Sequence, residues 1–255
     1  MSRRLDVFLT ERGDTESRSR AQERIKSGSV TVNGKTVTKV SHPVEEGDEV
    51  LLLQGSACPY VSRGGYKLEA ALKGFMVDVR GLVCADIGAS SGGFTDCLLQ
   101  HGAGRVYAID SGSGQLHSSL RNDERVICIE NCNARYLSDN EIPSPVDLMV
   151  MDVSFISQTK LYGALVPRLK ENALLISLIK PQFEVGRAGI GKGGIVRDEK
   201  KRKDAVYQVV ADAEAYGLIC EAVFPSPIRG GDGNVEFLAC FRKHTSREEQ
   251  TGDCL

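Results

Sequence analysis

The stretch Asp86-Ile87-Gly88-Ala89-Ser90-Ser91-Gly92-Gly93-Phe94-Thr95 follows directly on the apolar run Leu82 to Ala85. A buried strand that ends in a glycine-rich turn reads as the first strand of a doubly wound sheet handing over to its first helix, the edge where such sheets bind ligands. The rest of the chain supports this. Downstream the pattern predicts a helix over 94–101, strands over 105–109, 126–130 and 147–152, a helix over 159–170 and a strand over 173–179. A helix over 198–216 and strands over 218–224 and 234–241 complete it. Such alternation argues for an α/β fold, a doubly wound and mostly parallel sheet with helices on both faces.

Upstream the chain reads differently. Ser17 to Ser27 suggests a short helix stopped at Gly28, followed by Val30-Thr31-Val32, a hairpin signal at Asn33-Gly34, a second strand through Val37 and a third over Glu49 to Leu53. The expected division is a small α+β domain over 1–57, a linker over 58–62, the large domain over 63–245 and a tail over 246–255.

The 255 residues, 41% hydrophobic and 26% charged with no Trp, describe a globular protein with a real core. Eight cysteines lie scattered without a C-x-x-C pair, so no metal site is expected. No apolar leader or 18-residue apolar span is present, so the protein is expected to stay in the cytoplasm with reduced thiols and no membrane partner. Nothing in the sequence indicates an oligomeric state.

The glycine turn departs from the dinucleotide pattern G-x-G-x-x-G, because Ser90 stands where the second glycine would open space for a pyrophosphate. An acidic residue, Asp86, lies two before Gly88, and Asp110 closes the second strand, placed to accept from both hydroxyls of a ribose. Acidic side chains suit a cationic ligand, which favours S-adenosylmethionine over a nicotinamide dinucleotide. The expected cofactor residues are Asp86, Gly88, Ser90, Gly92, Gly93, Phe94, Thr95, Asp110, Asn133 and Asp152. The glycines serve a tight turn equally well, and so does Asn133.

The fourth strand ends in Asp152-Val153-Ser154-Phe155. That excludes the Asn/Asp-Pro-Pro-aromatic loop by which exocyclic base nitrogens are methylated. A cysteine nucleophile for carbon methylation is also missing there, the nearest in sequence being Cys132 at the preceding strand end. What remains at the strand ends is charged: Asp152, Lys180 and Glu236, with Lys67 ahead of the first strand. Separate surface salt bridges would account for the same charges.

Residues 61–68, 86–95, 152–157, 179–186 and 233–238 together resemble the TlyA family, relatives of the FtsJ-type ribose methyltransferases, and residues 1–57 are similar to the S-four-type RNA-binding domain that the family carries. The resemblance implies a Rossmann-like S-adenosylmethionine-dependent methyltransferase that modifies the 2′-hydroxyl of cytidine in ribosomal RNA, alone or in ribosomal subunits. It also implies a Lys-Asp-Lys-Glu catalytic set at Lys67, Asp152, Lys180 and Glu236. In that set Lys180 takes the proton, Asp152 orients it, Lys67 contacts the substrate and Glu236 fixes Lys67 or the ribose. One departure is visible: where the family commonly has a basic-x-Trp-Val stretch, this chain has Cys58-Pro59-Tyr60-Val61, with Tyr60 in the stacking place.

The formal net charge of −2 speaks against a nucleic-acid partner only as a total. Arg18, Arg20, Arg24, Lys26, Lys35 and Lys39 meet the single acid Glu23, and a second basic stretch runs over 186–203 in a glycine-rich loop expected to be mobile. The expected RNA contacts are Arg3, Arg4, Arg18, Arg20, Arg24, Lys26, Lys35, Arg63, Arg187 and Lys192. Charge of this kind also serves plain solvation. Two further readings stay open, a membrane-active haemolysin and an RNA-binding protein with an inactive methyltransferase fold. The first is weak physically, since no helix with a clean apolar face is predicted.

Overall fold

The computed structural model describes residues 2–26, 29–52, 58–186, 189–230 and 233–244, apart from the side chains of Glu23 and Lys192. The chain divides into two compact units, Met1–Pro59 and Tyr60–Leu255.

In the first unit β1 (Arg3–Arg4) leads into α1 (Leu5–Glu11) and α2 (Arg18–Lys26), followed by β2 (Val30–Val32), β3 (Lys35–Thr36), β4 (Pro43–Val44) and β5 (Val50–Leu52). β2 is central, antiparallel to both β3 and β5, while β1 pairs with β4. Asn33 and Gly34 take the hairpin turn with φ of 51° and 74°, the left-handed pair that a tight two-residue turn requires. Leu5, Leu9, Ala21, Ile25, Val30, Val32, Val44 and Val50 form the core, so the apolar positions of both helices close onto the small sheet.

The second unit opens with α3 (Gly64–Gly74), which the sequence pattern did not predict. Then come β6 (Val83–Ile87), α4 (Gly93–Gln100), β7 (Arg105–Ile109), α5 (Ser118–Arg121), β8 (Val126–Ile129), β9 (Val146–Met151), α6 (Tyr162–Leu165), β10 (Leu169–Ile179), α7 (Pro181–Glu184), α8 (Glu199–Glu214), β11 (Leu218–Pro225) and β12 (Phe237–Lys243). They build a seven-stranded sheet in the order β11-β12-β10-β9-β6-β7-β8. Six strands run in one direction, and β12 runs antiparallel between β10 and β11. The chain winds from β6 outward to β8 and returns beside β6 as β9, so the crevice at the carboxyl ends of β6 and β9 is the topological switch point.

Side-chain alternation divides the two faces. Ala85 and Ile87 share a core with Tyr162 and Leu165 of α6 and Val209 and Ala213 of α8. Asp86, between them, faces α4 and accepts from the Thr95 hydroxyl at 2.7 Å.

Two predicted elements need correction. The helix expected over 159–170 is a single turn, α6, between 3₁₀ turns at Gln158–Lys160 and Val166–Arg168, because Pro167 interrupts the helical hydrogen bonds and β10 already begins at Leu169. The strand expected from 234 begins only at Phe237, because Asn234 is spent on tying loops together: its Oδ1 accepts from Val196 N and its Nδ2 donates to Gly194 O, both at 3.0 Å. These two bonds tie the second half of the glycine-rich loop to Asn234.

Candidate active site

The crevice holds two adjoining cavities of opposite chemistry. The first, of about 470 Å³, is lined among others by Gly88, Ser90, Asp110, Asn133, Asp152 and Phe155. Gly88 has φ of 84°, and a Cβ there would stand 2.7 Å from the Asp152 carbonyl oxygen, so only glycine lets the ends of β6 and β9 come this close. Ser90 also lies in the left-handed region, at φ 49°. Its N–H donates to Asp110 Oδ2 at 2.8 Å, and Gly112 N–H donates to Oδ1 at 2.7 Å, which fixes the carboxylate at the end of β7 with lone pairs left for a ligand's hydroxyls. Asn133 starts the turn after β8, its side chain accepting from Arg135 N–H at 3.1 Å. Among the described residues lining this cavity there are two carboxylates and no cationic side chain.

The remaining residues expected at a cofactor do not line it. Gly92, Gly93, Phe94 and Thr95 are buried where α4 begins. A Cβ on Gly93 would run into Ser62 and the first turn of α3, and one on Gly92 into Leu120, so these glycines let neighbouring segments pack and thereby place the turn. Asp86 is wholly buried. Burial pushes its carboxyl up to about 7 against the opposing Thr95 hydrogen bond, with the Asp152 charge adding to the rise.

The second cavity, of about 350 Å³, is lined by Lys67, Ser154, Phe155, Lys180, Gln182 and Glu236 among others. Lys180 ends β10 and is turned away from the sheet by Pro181, which opens α7. Its Nζ lies 2.6 Å from Asp152 Oδ1, donates to Ser154 Oγ at 2.8 Å and stands 5.9 Å from the centre of the Phe183 ring. Lys67, on the first turn of α3, donates to Glu236 Oε2 at 2.7 Å. Gln182 Nε2 reaches the other oxygen of Glu236 at 3.4 Å. A Cβ on Gly230 would stand 2.5 Å from Glu236 Oε1, so that loop is shaped around the carboxylate. The side chains of Lys67, Lys180 and Glu236 are 12%, 11% and 3% exposed, and that of Asp152, which lines the first cavity, is 21% exposed. The four residues expected from separate places in the sequence thus meet as two ion pairs, each lysine facing a common space.

Sequence reasoning missed three contributors. Ser154 and Phe155 stand in the tetrapeptide read only for what it lacked, and Gln182 follows the lysine. Phe155 holds φ of 64° and is 92% exposed, with its ring 5.3 Å from that of Phe183. A bulky residue in that backbone region is strained, and it sits where both cavities open.

The residues expected to meet RNA fall into several environments. Arg4 and Arg18 both donate to the buried carboxylate of Asp6, at 3.0 and 2.8 Å, joined by Gln22 at 2.8 Å, so these two arginines hold the first unit together. Arg3 pairs with Glu11 at 3.3 Å. Lys26 and Lys35 are exposed, and Arg20 and Arg24 are half-buried on α2. Arg63 precedes α3. Arg187 and the side chain of Lys192 lie outside the described residues. Tyr60 is buried edge-on to Tyr66, with ring centres 5.7 Å apart, and a Cβ on Gly65 would strike it, so the ring expected to stack is packed inside the second unit.

Comparison with known proteins matches the FtsJ-like methyltransferase family over residues 60–243 and the S4 domain over residues 3–50. The chain is 44% identical over 242 residues to Hemolysin A of Brachyspira hyodysenteriae, which spans 93% of this chain and 99% of that one. It is 42% identical over 244 residues to the 16S/23S rRNA (cytidine-2′-O)-methyltransferase TlyA of Mycobacterium tuberculosis, with 96% and 91% covered. Among solved structures, a hemolysin-designated protein from Streptococcus thermophilus shares the fold with a TM-score of 0.77 at 40% identity, over 96% of this chain and 90% of that one.

Proposed function

The chain belongs to the FtsJ-like methyltransferase family, with an S4 domain ahead of the methyltransferase unit, and on that premise we propose that it methylates the 2′-hydroxyl of cytidine ribose in ribosomal RNA. The observation that carries the reading is the pair of ion pairs around one cavity, Lys180 with Asp152 and Lys67 with Glu236, next to a carboxylate-lined cavity at the switch point.

The first cavity fits S-adenosylmethionine: it is acidic, its floor at Gly88 leaves no room for a side chain, and Asp110 is anchored to accept from ribose hydroxyls. When bound, this cofactor supplies an electrophilic methyl group on a positively charged sulfur. The chain has two tasks, to align the hydroxyl and to remove its proton. Alignment in the best cases contributes about 7–11 kcal/mol. Lys180 is the group placed to take that proton on Nζ, and Asp152 and Ser154 hold the nitrogen in place. Lys67, fixed by Glu236, faces the same space and holds the ribose or its phosphate. Phe155, exposed at the mouth, offers a ring face to the base. The first unit adds basic side chains for RNA phosphates, with Lys26 and Lys35 the more accessible. Such a substrate would keep the protein at ribosomes in the cytoplasm.

The test is an assay of purified 30S and 50S subunits with radiolabelled S-adenosylmethionine, followed by mapping of the modified ribose. Label on a cytidine 2′-oxygen is the expected result. A folded protein that binds S-adenosylhomocysteine yet labels neither subunit, or labels a base, would overturn the proposal.

A further inference from the structure

A third cavity, a groove of about 380 Å³, shares Phe155, Gln182, Phe183 and Ile190 with the lysine-lined cavity and Phe155 and Ile156 with the acidic one. Its own contribution is Arg135, from the turn after β8, and Lys160, from the turn after β9. Both side chains are exposed, and among the described residues neither has an ion-pair partner. No acidic residue is among the described residues lining the groove.

We propose that this groove seats the nucleotide adjoining the target on the same RNA strand, with its phosphate held by Arg135 and Lys160. The inference rests on the ribose-transfer reading and names where the strand runs. A ribose in RNA carries phosphodiesters on both sides, so a 2′-hydroxyl at Lys180 obliges charged backbone to leave that cavity. The acidic cavity repels it through Asp110 and Asp152. The groove, by contrast, presents two cations, and its wall of Ile156, Phe183 and Ile190 offers apolar surface to the attached base. Exposed cations lining one groove are what a phosphate contact needs, since Arg and Lys release counterions when they neutralise one.

The experiment compares full-length protein with the double variant Arg135→Ala/Lys160→Ala in methyl transfer to purified subunits at salt between about 50 and 200 mM. The variant is expected to lose about tenfold in kcat/KM at low salt. Its plot of log kcat/KM against log salt should be shallower by about 0.7, the contribution of one phosphate contact on a single strand. Calorimetric affinity for S-adenosylhomocysteine should be unchanged, and Arg135→Lys/Lys160→Arg should restore both slope and rate. A double variant with the wild-type slope and rate overturns the proposal, as does one whose loss the charge-preserving variant fails to restore. Fluorescence anisotropy of a short single-stranded oligoribonucleotide reads the same slope without turnover. A wild type that methylates no rRNA therefore refutes the function while this slope still decides the groove, an unchanged value overturning it.

Discussion

Each unit buries a carboxylate among basic side chains, and the two clusters are built on opposite plans. In the first unit Asp6 is wholly buried and saturated, its two oxygens accepting from Arg4, Arg18 and Gln22. The arginines lie half in water and act as a lid over a charge with nothing left to do. In the second unit Asp152 and Glu236 each meet one lysine, and both lysines turn toward a cavity instead of filling it. A charge cluster that serves stability completes its own hydrogen bonds, whereas one that serves chemistry leaves donors and acceptors pointed at empty space. Sign and proximity alone do not separate the two; the cavity does.

The largest expected effect follows from removing Lys180. Lys180→Ala should reduce methyl transfer to subunits by about 10²–10⁴-fold, the range that a positioned base contributes, while calorimetric affinity for S-adenosylhomocysteine stays near wild type. Loss of rate and affinity together would mean that Lys180 holds the crevice open, and the contrast with Asp6 would collapse. Asp6→Asn is the converse. It should lower the stability of the first unit by about 2 kcal/mol, the scale of hydrogen bonds to a charged group, with little effect on S-adenosylhomocysteine binding by the second. Hydrogen exchange read separately at α1–α2 and at β6–β9 checks this. Equal acceleration in both units would show that Asp6 is not a local fastener.

Much of the second unit was legible in the sequence, because glycine at a strand end and apolar runs of five or six residues are local signals. β6, β7 and β9 fall within a residue or two of their predicted places. What escaped was set by distant contacts. α3 begins with Gly64-Gly65, which reads as a helix breaker, yet Gly65 is what allows it to lie against Tyr60. The burial of Asp6 was invisible too: its partners stand 12 and 16 residues away, and in a charge count it only cancels an arginine. Phe155 was visible as a letter but not as an exposed ring, since nothing local announces a positive φ at an aromatic residue. The charged strand-end residues could be named from the sequence, and the family resemblance made them a set in which Asp152 serves Lys180 and Glu236 serves Lys67 or the ribose; the coordinates add the two contacts themselves.

The comparison sharpens further through pH. Asp6 and Asp86 are both fully buried aspartates, but the hydrogen bonds from Arg4, Arg18 and Gln22 overcome burial and hold Asp6 well below the usual carboxylate range. Burial dominates at Asp86, where only Thr95 opposes it, through its hydroxyl and its backbone N–H, and carries the carboxyl up to about 7. A depressed folded-state value means that Asp6 contributes stability above about pH 4, its unfolded value, and that this is lost as pH falls below it. A raised value means the reverse: Asp86 costs nothing below about pH 4 and progressively more as pH climbs to about 7, at no more than about 1.4 kcal/mol per pH unit. Thermal unfolding of full-length Asp86→Asn should therefore gain on wild type between about pH 4 and 7 and run parallel to it above. The deficit of Asp6→Asn should be constant over that window and shrink only in stronger acid. Difference curves with the same sign of slope would show that burial, rather than the number of donors, governs both groups.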